Sequence, residues 1–154
     1  MRTTMLSALI LIVACSPGPT PTTQSSTKQT IRVPGSLEGL PFSSAVRVGD
    51  MLYLSGQVGT RPGTNELVEG GVDAETRQTL ENIKVVLAYA GSSLDDVVKC
   101  TVFLADIADY QAMNAVYREF LVEDPPARST VAGSGLALGA RVEIECLALT
   151  GGSS

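Results

Sequence analysis

Apolar and polar positions alternate on either side of Gly49-Asp50, in Ala45-Val46-Arg47-Val48 and in Met51-Leu52-Tyr53-Leu54-Ser55. Two strand-like runs around such a pair predict a β-hairpin. Ile31-Arg32-Val33 is a short strand candidate before it, and a polar, glycine-rich loop from Thr60 to Gly71, with Pro62 and Asn65, follows. The period then changes. Thr76, Leu80, Ile83, Leu87 and Ala90 recur at helical spacing, with Asp73 as the expected N-cap and Gly91 placed to end the helix. Val97 to Leu104 is too rich in β-branched residues for a helix and predicts a strand. A second helix is expected from about Asp109 to Leu121, with Tyr110, Met113, Tyr117, Phe120 and Leu121 on one face as core. Asn114 shares that face, so its amide needs a hydrogen-bond partner, with backbone the expected one.

Pro125-Pro126 stops this helix and starts a strand carrying Arg128. In the closing strand, Val142, Ile144, Cys146 and Ala148 fall on one side, and Arg141, Glu143, Glu145, Leu147 and Leu149 on the other. Both sides carry apolar residues, so one is expected to meet helices and the other a second sheet or a second subunit. The order of elements predicts an α+β layer, a sheet with two helices packed on one face.

The N-terminus is a different kind of sequence. Met1-Arg2 precedes a short apolar run, Met5 to Ala14, which suits a signal peptide and is too brief to cross a bilayer. Ile12-Val13-Ala14-Cys15 resembles a bacterial lipobox, which implies that residues 1–14 are removed and Cys15 is acylated. Residues 15–30 are rich in Ser, Thr and Pro and are expected to form a disordered tether, with the folded domain spanning 31–150. The expected location is the cell envelope, lipid-anchored on the periplasmic face. Ser16 after the cysteine leans towards the outer membrane in a Gram-negative cell.

At 154 residues there is room for one such domain. With 11 basic residues against 16 acidic ones, the chain offers little counterion release to a phosphate backbone, so nucleic acid is not an expected partner. The absence of histidine excludes histidine catalysis and His-ligated metal, no metal-binding spacing is present, and no cofactor is expected. Cys100 and Cys146 fall mid-strand on apolar faces. They are either small core residues or, in an oxidising compartment and on adjacent strands, a pair.

The candidate chemistry lies in Pro126-Ala127-Arg128-Ser129-Thr130-Val131 and Arg141-Val142-Glu143-Ile144-Glu145-Cys146. If their strands are neighbours, Arg128 supplies a fixed cation for a substrate carboxylate and Glu143 orients water or carries a proton. The plain alternative is a solvated arginine and an outward-facing glutamate. Glu143 and Glu145, with α-carbons roughly 6.6 Å apart by strand rise, also invite a two-carboxylate glycosidase reading. The lack of tryptophan argues against a sugar-stacking surface.

Pro126-Ala127-Arg128-Ser129 and Val142-Glu143-Ile144-Glu145, together with Pro41-Phe42, Gly49-Asp50, Ser55-Gly56-Gln57, Gln78-Thr79-Leu80-Glu81-Asn82, Val98 to Leu104 and Asn114-Ala115-Val116-Tyr117, resemble the RidA/YjgF family of imine deaminases. The resemblance runs from about Ile31 to Leu149. It implies a chorismate-mutase-like homotrimer with clefts between subunits, and hydrolysis of reactive 2-imino acids to 2-oxo acids and ammonia without metal or cofactor. Arg128 would then hold the substrate carboxylate and Glu143 position the attacking water. Phe42, Ser55, Gly56, Asn114 and Thr130 would line the substrate side. Phe42 stands where the best-known members have tyrosine, and Thr130 where cysteine is frequent. These departures keep an alternative open, a non-catalytic member that binds a small carboxylate. The ribonuclease activity suggested for some relatives fits poorly with an acidic, histidine-free, exported chain.

Overall fold

The computed structural model describes residues 27–35 and 39–151. The expected signal peptide, Cys15 as the expected lipidation residue and the start of the expected tether lie outside the described residues. The strands are β1 (Lys28–Ile31), β2 (Ala45–Val48), β3 (Met51–Leu54), β4 (Gln57–Val58), β5 (Val97–Leu104), β6 (Ala127–Ala132) and β7 (Val142–Leu149). The helices are α1 (Gly71–Tyr89) and α2 (Tyr110–Phe120). The strands form one mixed sheet in the order β1-β2-β3-β7-β5-β6, with β4 also paired to β7. Among the described residues only β5 and β6 run parallel, as a strand pair joined through α2 must be able to do.

The hairpin forms where Gly49-Asp50 predicts it, with Val48 opposite Met51 and Gly49 at a φ of 59° that suits glycine. The expected tether is shortened at its end: Lys28 to Thr30 are not disordered but pair with β2, opposite Val48 to Val46. Backbone pairing orders this polar stretch, and only Ile31 in it is buried. Asp73 is not the helix cap. Gly70 and Gly71 both take positive φ, which turns the chain into α1 three residues sooner and leaves Asp73 in the first turn, where its charge suits the dipole.

Both helices cover one face of the sheet. Leu80, Ile83 and Leu87 of α1 and Met113 of α2 are fully buried against Leu52, Val102, Leu104, Val142 and Ile144. Each such side chain contributes roughly 1.5–3 kcal/mol of burial. The other face has no cover in the single chain. Tyr53, Leu149 and Val131 are exposed there, alongside Leu147, Phe103, Glu143 and Glu145.

Cys100 and Cys146 are cross-strand partners on β5 and β7, with α-carbons 4.1 Å apart, and their sulfurs are bonded. The adjacency of β5 and β7 resolves the choice between free core thiols and a pair in favour of the pair.

Candidate active site

Arg128 opens the edge strand β6 and points to the helix side, in register with buried Cys100. Pro125-Pro126 ends the turn after α2, so the strand starts close under that helix. The guanidinium sits 4.7 Å from the centre of the Tyr117 ring and 5.8 Å from that of Tyr110, and its Nη2 donates to the Tyr110 hydroxyl at 3.3 Å. The cation is therefore braced by two aromatic faces. No carboxylate lies within ion-pair distance of it among the described residues. It borders an open cleft of about 690 Å³, walled by Asn114, Tyr117, Leu121, Pro125 and Pro126.

Tyr110 and Tyr117 were expected only as core. Their helical spacing with Asn114 is the signal that places all three beside Arg128. Asn114 is half-buried. Its side chain first, and the Arg128 charge second, hold the Tyr110 phenol below its usual range. Tyr117 is pushed up to about 12 by burial, against the opposing pull of Arg128, and stays neutral. Thr130, two residues along β6 on the same side, has a buried hydroxyl without a protein partner among the described residues.

Glu143 lies elsewhere. β6 and β7 are not neighbours, because β5 runs between them. Glu143 is in register with Phe103 and so faces the uncovered side, whereas Arg128 faces the helices. The expected meeting of the two side chains at one end of adjacent strands does not occur within one chain. Glu143 instead crosses Gly56: a β-carbon there would sit 2.9 Å from the Glu143 Cδ, so only glycine leaves the carboxyl its place. Ser55 precedes it and is tied to the segment bearing Phe42, its Oγ donating to the Ser43 carbonyl at 2.7 Å and its N–H to the Ser44 carbonyl at 3.1 Å. Phe42 itself is 50 % exposed. Burial first, and the neighbouring Glu145 charge second, raise the Glu143 pKa above the ordinary carboxylate value. Arg141 does not neutralise either glutamate; it is paired to Asp109 at 2.7 Å.

The seven expected residues thus fall into two groups. Arg128, Asn114 and Thr130 belong to the helix side, and Glu143, Gly56, Ser55 and Phe42 to the other. Gly59, just after β4, meets the helix layer instead: a β-carbon on it would lie 2.7 Å from the Glu75 Cα of α1.

Together these features define a class, a small α+β subunit with an aromatic-braced cation on one side of its sheet and a carboxyl seated on a glycine on the other. The family described as Endoribonuclease L-PSP matches residues 37–150. The human 2-iminobutanoate/2-iminopropanoate deaminase is 40% identical over 122 residues, 79% of this chain and 88% of that protein. RidA from the Antarctic bacterium Psychrobacter superposes with a TM-score of 0.74 at 42% identity, covering 79% of this chain and 98% of its own. E. coli TdcF with bound serine superposes at 0.69 with 35% identity, covering 79% and 95%. The chain belongs to the RidA/YjgF (Endoribonuclease L-PSP) family.

Proposed function

We propose that the protein hydrolyses reactive 2-imino acids to 2-oxo acids and ammonia, in clefts shared between the subunits of a homotrimer, and that it does so at the cell envelope on a lipid anchor at Cys15. The observation that carries the reading is the Arg128 guanidinium, without a carboxylate partner among the described residues and braced by Tyr117 and Tyr110 at the border of an open cleft. A planar fork held in this way suits the carboxylate of a small substrate. The deaminase relatives at 40% identity and above, and the serine bound by TdcF, support a small carboxylate-bearing molecule.

Division of the residues between two sides of one sheet supports a shared site. The exposed apolar face, with Tyr53, Leu147, Leu149 and Val131, is suited to pack against another copy. A partner's Glu143 half-site would then lie opposite this chain's Arg128.

In the reaction, Arg128 holds the acid while Glu143 takes one proton from water as the water oxygen bonds to the imine carbon, and returns that proton to nitrogen to give a carbinolamine. The remaining hydroxyl proton then passes to nitrogen, through Glu143, as the carbonyl forms and the carbon–nitrogen bond breaks, and ammonia leaves. The raised Glu143 pKa brings the base nearer to working pH. The imine is already electrophilic, so alignment supplies most of the acceleration. RNA cleavage, which the family description would suggest, has little support in a chain of net charge -5 without histidine.

The test is an amino-acid oxidase generating 2-iminopropanoate in the presence of an amine trap. Added protein should lower trapped imine and speed release of the 2-oxo acid. An Arg128→Ala protein as active as wild type would sink the assignment. A thermal shift with a 2-oxo acid but no turnover would mark the protein as the non-catalytic carboxylate binder.

A further inference from the structure

The Cys100–Cys146 bond lies in the centre of the sheet on its covered side. Both residues are shut in, at 1% and 2% exposure, beneath the helix layer that includes Leu80, Ile83 and Met113. Thiol–disulfide exchange needs a thiolate to reach a sulfur. In the finished fold neither sulfur offers that approach. The bond therefore has to be made while the helices are still off the sheet, and afterwards external thiols reach it only through a large opening of the fold. A cytosol kept reducing by small thiols would leave the pair unbonded as the chain folded.

We propose that this chain is a client of an exported dithiol oxidase, and that Cys100–Cys146 is a permanent bond installed during folding. The exchange balances without further reagents. The Cys100 thiolate attacks the oxidase disulfide, forming a mixed disulfide and releasing one oxidase thiolate. The Cys146 thiolate then attacks Cys100 Sγ, closing the bond and releasing the second. Two protons leave the substrate thiols, and two electrons end on the oxidase, which becomes a dithiol. The compartment rests on the export reading above, whereas the bond does not depend on the anchor.

The experiment takes the full chain with its own N-terminus, produced in an exporting host and in the same host lacking its envelope dithiol oxidase. Each sample is denatured without reductant in the presence of a maleimide and read by peptide mass. Protein from the competent host should carry no maleimide on Cys100 or Cys146 and give one linked peptide pair. Protein from the deficient host should be labelled at both. Folded oxidised protein in dithiothreitol should keep the bond roughly 100-fold longer than denatured protein, because exchange then waits on a large opening of the fold. Labelling of both cysteines in the competent host, equal oxidation in the two hosts, or equal reduction rates for folded and denatured protein would each overturn the proposal. The N-terminal peptide is scored separately, so an unacylated Cys15 would count against the anchor and leave this inference standing.

Discussion

Arg128 and Tyr117 are stacked, the guanidinium carbon 4.7 Å from the ring centre. A flat cation on a flat ring keeps its fork aimed sideways, where a lysine ammonium would be free to turn. Arg128→Lys should therefore raise KM for a 2-imino acid by about 10-fold or more, and Arg128→Ala by roughly 100-fold, in line with about 1.5–3 kcal/mol per hydrogen bond to a charged group. Initial-rate kinetics check this, with far-UV circular dichroism to confirm that both variants fold. An unchanged KM for Arg128→Ala would remove the carboxylate-holding role.

Glu143 links activity and stability through one titration. Burial raises its pKa, so the neutral form is favoured in the folded state. The associated stability is present below the unfolded carboxylate value and lost as pH rises through the folded one. Ionised Glu143 thus costs stability at neutral pH. Glu143→Gln should melt higher than wild type near pH 7, the gap closing in acid below the ordinary carboxylate value, while kcat falls by about 100-fold or more. The acid limb of the wild-type rate profile should lie above that ordinary value. Thermal melts across pH and a kcat profile test both halves. Equal melting temperatures at neutral pH would contradict the burial argument.

Local pattern made much of the fold legible. The β5 run, the Gly49-Asp50 hairpin and the two faces of β7 follow from periodicities contained in a few residues. What pattern left hidden is pairing between distant segments. Nothing near Arg128 or Glu143 says that β5 lies between their strands, and that single insertion sends the two side chains to opposite sides of the sheet. The same adjacency decides the bond between Cys100 and Cys146. β4 is only two residues, Gln57–Val58, too short to carry a periodicity at all. Asp73 misled as a cap because two consecutive glycines with positive φ start the helix before it.

Gly56 is the floor on which the Glu143 carboxyl rests. Gly56→Ala would place a methyl 2.9 Å from Glu143 Cδ, and the side chain, being the more flexible partner, should swing away. The expected outcome is a fall in kcat of roughly 10- to 100-fold, as for a misplaced catalytic group, with KM nearly unchanged because Arg128 is untouched. A variant with wild-type kcat would show that Glu143 need not stay where Gly56 lets it lie.

The bond between Cys100 and Cys146 closes a loop with a sequence separation of 46. Chain-entropy reasoning puts its stabilisation at about 4 kcal/mol for such a loop. In a domain of this size, the Cys100→Ala/Cys146→Ala protein should melt roughly 10–20 °C lower than wild type. Calorimetry of both proteins in oxidising buffer reads the difference. A shift of only a few degrees would mean that the unbonded chain is already held in register by its neighbours.

If a working cleft takes Arg128 from one chain and Glu143 from another, two dead proteins should repair each other. Arg128→Ala chains still supply Glu143, and Glu143→Gln chains still supply Arg128. Random mixing of the two in one assembly leaves about a quarter of the clefts with both native side chains. Co-refolding the variants at equal concentration should therefore restore about a quarter of wild-type activity, whereas simple mixing of preassembled proteins should restore far less at first. Restoration should rise as subunits exchange, and it should vanish when one chain carries both substitutions and the other is absent. Co-refolded protein that assembles normally yet stays inactive would mean that both residues of each cleft come from the same chain, which the opposite faces of Arg128 and Glu143 on one sheet argue against.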